Sequence, residues 1–392
     1  MEPIGLYIHV PFCLSKCPYC DFYSYAASNE AMDAYTAAVE RALADWAARI
    51  GAQADTLYIG GGTPSLLGGA RLARLVEAAR RGFGLRDAEI TLEANPDSAG
   101  DWRALRALRR AGFNRISLGV QSSDDETLRR LGRVHTWQQV KDAVAACRKA
   151  GLDNISLDLI YGLPDQTMEQ WENTLADALV LAPRHISCYG LKLEEGTPLY
   201  DRRESLNLPD GDLQADMYLY AVELLTQNGY QQYEISNFAQ PGYESRHNLK
   251  YWMLEEYAGF GPGAYSDFGG VRYGYTRDLD GYIAGRLDLA ESEHISPQER
   301  EMEYIMLRLR TARGIDIREF ENRFRQRFTP LAAILESCAA HGLARQTETG
   351  WCLTPRGFLV SNRIIGDLQE ELNREKVQRL ARAAQGDYRV VE

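Results

Sequence analysis

The chain has 392 residues and a formal charge of −11, with 45% hydrophobic and 25% charged residues. That length exceeds one ordinary core, so a large domain and a smaller one are expected. The acidic balance argues against broad binding to nucleic acid or to an anionic membrane, both of which attract basic surfaces. From residue 6 onward one pattern recurs six times. Apolar runs suited to β-strands occupy 6–10, 56–60, 89–94, 115–120, 154–160 and 185–191. Between them, 31–50, 70–81, 101–111, 137–150 and 168–181 carry apolar residues at three- and four-residue intervals, the helical period. Gly112 closes the third of these helices as a C-cap glycine. Such alternation predicts an α/β fold of right-handed parallel βαβ units, and six units predict an open, partial (β/α)6 barrel. It stops near 285–297, which separates an expected domain over 1–285 from one over 296–392. In the second, 301–309, 317–328 and 331–341 read as helices, followed by a hairpin around 347–351 and a helix after Ser361.

In parallel α/β architectures the loops after the strands form the working face. The polar departures of this chain fall there each time. Cys13, Cys17 and Cys20 follow the first strand in C-x3-C-x2-C spacing, and Gly60, Gly61, Gly62 and Thr63 follow the second. Glu93 and Asn95 end the third, Gln121 ends the fourth, Asp158 lies near the end of the fifth and Lys192 follows the sixth. Thiolates are soft ligands for zinc and for iron–sulfur clusters. Structural zinc wants four closed ligands, and no second CxxC or His-x3-His lies nearby. A disulfide among the three cysteines would leave one sulfur over. On a four-iron cubane, three thiolates leave one iron open for a small chelate, and the amine and carboxylate of S-adenosylmethionine (SAM) suit it. Glycines at 60–62 would let backbone approach a ligand and Thr63 adds a hydroxyl. Glu93 can accept from an ammonium or from ribose hydroxyls, Arg133 can grip a carboxylate, and Asp158 can hold ribose hydroxyls. Cys147, Cys188, Cys338 and Cys352 are scattered and read as small hydrophobes. With no disulfide framework, signal peptide or long apolar span, a cytoplasmic location is expected.

The segments Tyr7-Ile8-His9-Val10-Pro11-Phe12-Cys13, Gly60 to Ser65, Glu93-Ala94-Asn95-Pro96, Ser117-Leu118-Gly119-Val120-Gln121 and Asp158-Leu159-Ile160-Tyr161-Gly162-Leu163-Pro164 carry a resemblance that runs nearly end to end. Together with the cysteine loop they resemble the radical SAM family that contains oxygen-independent coproporphyrinogen III oxidases and heme chaperones. The resemblance implies a radical SAM barrel with a [4Fe-4S] cluster on Cys13, Cys17 and Cys20. It implies SAM contacts from Tyr7, Gly61, Gly62, Thr63, Glu93, Gln121, Arg133 and Asp158, with Tyr19 as an aromatic beside the cofactor. Lys192 and Tyr265 occupy further contact positions with residue types unlike those of the oxidases. An electron donor, reductive cleavage of SAM and a small winged-helix-like C-terminal domain are also implied. The mixed charge of that domain argues against DNA binding.

Two departures separate the chain from the oxidases it resembles. Phe22 stands where they carry a further cysteine, and the first strand begins almost at Met1, without their N-terminal extension. Coproporphyrinogen III oxidase activity is therefore not expected. His247-Asn248-Leu249-Lys250-Tyr251-Trp252 resembles the H-N-x-x-Y-W pattern of the heme chaperones. Imidazole is a good axial ligand of heme iron, so His247 is the candidate heme ligand, with Tyr251 and Trp252 able to pack on a macrocycle. His9, His135 and His185 are alternatives. The expected function is binding of heme and its transfer to an acceptor protein, with peripheral membrane association left open. The alternative is oxidative decarboxylation of coproporphyrinogen propionates to vinyl groups.

Overall fold

In the computed structural model, which describes residues 2–384, six parallel strands lie side by side in chain order. They are β1 (Ile4–Val10), β2 (Ala54–Gly61), β3 (Glu89–Ala94), β4 (Arg115–Gln121), β5 (Ile155–Tyr161) and β6 (His185–Gly190). The helices that return the chain are α1 (Asn29–Ile50), α2 (Gly68–Phe83), α3 (Trp102–Ala111), α4 (Asp125–Arg130), α5 (Trp137–Ala150) and α6 (Met168–Val180). Their ends are written locally. Asp101 accepts from the Arg103 N–H at the start of α3, and Thr136 with Gln139 and Thr167 with Gln170 form capping boxes on α5 and α6. This is a partial (β/α)6 barrel, open because the strand order does not close on itself.

The sheet extends beyond the six predicted strands. Asn237–Ala239 pairs antiparallel with β6, and Tyr257–Phe260 pairs parallel with β1. From the latter run three antiparallel strands, Tyr265–Phe268, Val271–Tyr275 and Leu289–His294. The glycine-rich stretch 259–266 is thus a strand, a turn and the start of another strand. A Cβ at Gly259 would sit 2.1 Å from the Tyr265 carbonyl oxygen, so close backbone approach requires glycine there. These strands are too short and too interrupted to show a period of their own.

Side chains alternate across each strand of the barrel. Leu6, Ile8 and Val10 of β1, Leu57 and Ile59 of β2, Ile116, Leu118 and Val120 of β4, and Leu157 and Leu159 of β5 belong to one buried apolar cluster with residues of α1, α2 and α5. The intervening positions are polar and buried: Thr56, Thr91, Arg115, Ser117, Ser156, His185 and Ser187. The barrel therefore has an apolar outer layer under its helices and a polar lumen.

The chain up to His294 forms the larger compact unit, except Gln232–Ile235 and Trp252–Leu254, which belong to the unit that begins at Ile295. The second unit contains helices Pro297–Arg308, Ile317–Phe324, Thr329–Ala340 and Ser361–Ala384, with a small antiparallel sheet in the order Ile315–Asp316, Gly350–Leu353, Ala344–Gln346. The helix expected over 317–328 ends at Phe324. Arg325 adopts a left-handed φ of 53°, and the Glu321 carboxylate turns to accept from the Phe328 N–H at 2.9 Å. Tyr304, Phe320 and Phe328 fill the core of this unit. In the larger unit, Trp171 is fully buried and its indole N–H donates to the Met217 carbonyl at 2.8 Å. Trp171→Ala is expected to cost about 3–5 kcal/mol, read as a lower urea midpoint by circular dichroism.

Candidate functional site

The cysteine loop is held at a neck. Phe12 is fully buried and packs edge-on against Tyr25 and Tyr35. The Cys13 N–H donates to the Tyr25 carbonyl and the Tyr25 N–H to the Pro11 carbonyl, each at 3.1 Å. Beyond this neck Cys13, Cys17 and Cys20 are half-buried free thiols, and the Cys20 N–H donates to the Cys17 carbonyl at 3.1 Å. Burial pushes the Cys20 thiol above its usual range. The second βα turn docks on the root of the loop, because Thr63 N–H donates to the Phe12 carbonyl at 2.7 Å and Thr63 Oγ1 lies 3.4 Å from Cys13 Sγ.

All three cysteines line one cavity of about 670 Å³, together with Tyr19, Gly61, Gly62, Thr63, Glu93, Gln121, Arg133, Asp158 and Lys192. Tyr7, Tyr265 and His247 are not in its wall. Arg133 reaches from the loop after α4 to 3.5 Å from Cys17 Sγ, and donates through Nη2 to Asn95 Oδ1 at 2.6 Å and to the Gly119 carbonyl at 2.9 Å. Its Nε is buried with no hydrogen-bond partner. Glu93 accepts from the Tyr58 hydroxyl at 2.7 Å and from the Gly61 N–H at 3.0 Å. Burial pushes its carboxyl up to about 7; the Tyr58 hydrogen bond opposes that rise and the nearby Asp158 adds to it. Asp158 accepts from Ser187, Ser117 and Ser156 hydroxyls at 2.7, 2.8 and 3.1 Å. Lys192 is exposed at the mouth, 2.6 Å from Glu194.

Gly61 and Gly62 line the cavity and also pack closely on the protein's own chain. A Cβ at Gly61, where φ is 109°, would meet the His9 ring at 2.7 Å, and one at Gly62 would lie 2.5 Å from the Phe12 carbonyl oxygen. They make room for the protein's own chain at the root of the thiol loop. Tyr265 lies on its strand 42% exposed, away from the cavity. Tyr7 points below it, donating to His9 Nδ1 at 3.0 Å while His9 Nε2 donates to the Tyr23 carbonyl.

His247 is 1% exposed, with Nδ1 2.8 Å from Thr56 Oγ1 and Nε2 2.7 Å from the Tyr251 hydroxyl. Both nitrogens are in use, so ligation of heme iron would break one of these bonds. Burial, with Lys250 and Arg115 adding to it, lowers its pKa to about 3. His135 and His185 are equally buried. Sequence reasoning passed over Tyr58, Arg115, Ser117 and Ser187, which line the same cavity. Their signal was present as polar residues two apart inside apolar strands, such as Arg115-x-Ser117-x-Gly119-x-Gln121.

Among the described residues no group of three or more His, Cys, Asp or Glu side chains converges closely enough to hold a single metal ion. The fit to a cluster rests on three free thiols on one loop and on their common cavity wall. The unpartnered Arg133 Nε, with Glu93 near the end of β3 and Asp158 midway along β5, suits a carboxylate and an ammonium- and ribose-bearing ligand beside them.

This combination of partial barrel and thiol loop defines a radical SAM protein, and residues 7–178 match the family model described as the Radical SAM superfamily. Residues 295–360 match the HemN C-terminal domain. The structure of coproporphyrinogen III oxidase (HemN) from Escherichia coli shares the fold with a TM-score of 0.80 at 24% identity, over 94% of this chain and 90% of that one. Heme chaperone HemW of Lactococcus lactis subsp. lactis (strain IL1403) is 39% identical over 84% of this chain and 87% of its own length. Heme chaperone HemW of Escherichia coli (strain K12) is 38% identical over 93% and 98%. The chain belongs to the heme chaperone HemW family.

Gly62→Ala is expected to push the second turn off the cysteine loop and reduce iron and sulfide per chain after anaerobic reconstitution. Gly100→Ala, where a Cβ meets nothing within 4 Å, should leave both unchanged.

Proposed function

We propose that the chain binds heme and passes it to an acceptor protein, from a cytoplasmic barrel that carries a [4Fe-4S] cluster on Cys13, Cys17 and Cys20 with SAM beside it. The curated relatives named heme chaperone HemW support this reading over most of the chain. The observation that carries it is the rim of the cavity. Leu14, Val134, Phe22 and Tyr189 line the mouth with 69%, 60%, 58% and 39% of their surface exposed. Large apolar groups gathered in the open at one mouth mark a ligand surface. A flat macrocycle has an apolar face to cover them, and Lys16 and Lys192 in the same wall suit its propionates. Phe22 offers packing where the oxidases resembled here carry a thiol.

Inside the mouth each residue has a share. Arg133 is placed to take the carboxylate of SAM, Glu93 its ammonium and Asp158 its ribose hydroxyls, while Thr63 and Arg133 brace the thiols of Cys13 and Cys17. When bound, a reduced four-iron cluster supplies one electron to the SAM sulfonium. An electron donor and peripheral attachment to a membrane belong to the same reading. No helix among the described residues is long and apolar enough to cross a bilayer.

Heme titration of the full chain tests the rim. Leu14→Ser combined with Phe22→Ser should weaken heme binding at least tenfold, since each exposed group withdrawn from a ligand face forfeits part of the roughly 1.5–3 kcal/mol that full burial gives. An unchanged affinity would place heme elsewhere. Incubation with SAM, a low-potential reductant and coproporphyrinogen III should yield no divinyl product; its appearance would favour the oxidase reading. SAM binding should weaken as pH falls through about 7, because protonation of Glu93 removes the charge that faces the ammonium. Glu93→Gln should flatten that dependence in calorimetric titrations.

A further inference from the structure

The His247 segment closes the end of the barrel opposite the cysteine loop. The N–H groups of Arg246 and His247 donate to the two carboxylate oxygens of Glu89, at the start of β3, each at 3.1 Å. Lys250 is 4% exposed and reaches the Pro3 carbonyl ahead of β1 at 2.9 Å, Asp55 at the start of β2 at 2.9 Å and Glu255 at 2.8 Å. Three strand beginnings therefore hold one short helix, Arg246–Trp252, across the lumen. Its imidazole enters the lumen so closely that a Cβ at Gly5 would lie 3.2 Å from the ring.

From there a line of contacts leads to the cavity. Thr56, Tyr58 and Gly60 are alternate residues of β2 and follow one another up the lumen. Thr56 bonds the imidazole, and the Tyr58 ring stacks on it with centroids 5.3 Å apart and planes 26° apart. The Tyr7 ring lies nearly parallel on the same imidazole at 6.5 Å. The Tyr58 hydroxyl then donates to Glu93 Oε1 at 2.7 Å. At Gly60 a Cβ would sit 2.8 Å from the Tyr58 ring and 2.9 Å from the Glu93 carboxyl, so the pair fills the space that this glycine leaves.

We propose that His247 is a positioning residue of the SAM site: clamped between Thr56 and Tyr251, it holds the Tyr58 ring so that its hydroxyl fixes Glu93, and it does not ligate heme. The H-N-x-x-Y-W segment is then the floor of the barrel. This rests on the reading that Glu93 meets SAM. The groups that face Glu93 are Tyr58 from β2, Arg115 from β4 and Asp158 from β5, with Tyr7 of β1 and Tyr251 of the floor helix also within its field. Because the Tyr58 hydrogen bond favours the charged carboxylate, its loss moves the protonation of Glu93 to higher pH.

The test uses the full chain, reconstituted anaerobically, with SAM affinity measured by calorimetry across pH and heme affinity measured by absorbance. Tyr58→Phe should weaken SAM binding about tenfold at neutral pH, the size of one hydrogen bond to a charged group, and should raise the pH at which binding is half lost. His247→Ala should do the same in the same direction. The double variant should be no weaker than Tyr58→Phe alone, since both act through one contact. Heme affinity should not move in His247→Ala. A loss of stability alone would lower the melting temperature without shifting the pH midpoint, and that result overturns the proposal. So does additivity in the double variant, or loss of heme binding with SAM affinity intact. If His247→Ala does not fold, Tyr251→Phe removes only the hydroxyl at Nε2 and should reproduce a smaller shift; no shift there is equally decisive against it. Glu93→Gln separates the levels: unchanged SAM affinity removes both readings, whereas weakened affinity with a silent His247→Ala removes this one alone.

Discussion

A barrel whose inward side chains are polar has to satisfy each of them away from water, because an unpaired buried group costs more than a made hydrogen bond returns. That requirement organises the larger unit. Asp158 is met by serines from β4, β5 and β6, Glu93 by a tyrosine and a backbone amide of β2, and Ser156 also meets His185 Nδ1 at 2.7 Å. All but the Ser156–Asp158 bond tie neighbouring strands, so the network that solves the desolvation problem also fixes the spacing of those strands. The acids at the mouth are placed by the strands themselves and not by mobile loops, which is the condition for a preorganised ligand site.

Much of this was legible in the sequence, and the parts that were not share a cause. The six strands and five of their helices showed because each strand or helix is long enough to display its own period. The cysteine spacing and the polar residues at strand ends identified the cavity wall before any geometry was known. The lumen did not show, because Thr56, Tyr58 and Arg115 sit singly among Leu and Ile and read as interruptions of a buried strand. Alternation in a parallel strand, where both faces are usually apolar, is itself the sign of a polar interior. Sequence cannot tell backbone approaching a cofactor from backbone approaching backbone, so the packing of Gly61 and Gly62 on His9 and Phe12 was not legible, although both also line the cavity. The chemistry of His247 as a ligand is visible in the sequence, whereas its burial between Thr56 and Tyr251 is not.

The E. coli oxidase HemN and this chain share a fold at a TM-score of 0.80 with only 24% identity. Function resides in the site grafted onto such a scaffold and not in the scaffold. Here the wall holds charged and hydroxylic groups and the rim holds exposed Leu14, Phe22 and Val134. The two surfaces meet on the cysteine loop, which contributes thiols inward and apolar side chains outward. A ligand seated on the rim would therefore sit on the same short segment that carries the three thiols, giving a direct route by which the state of one would be felt by the other.

The neck at Phe12 and Tyr25 gives that segment one more property. Its two ends are bound to each other and to the barrel, through the Pro11 and Tyr25 carbonyls and the aromatic pair. Between them the segment is met by Thr63 at Cys13, by Arg133 at Cys17 and by the Leu199 N–H, which donates to the Pro18 carbonyl at 2.9 Å. Such a cassette can change its outer side chains, exposed Leu14 and Phe22 among them, while the bonds at its root and the register of the strand below stay as they are.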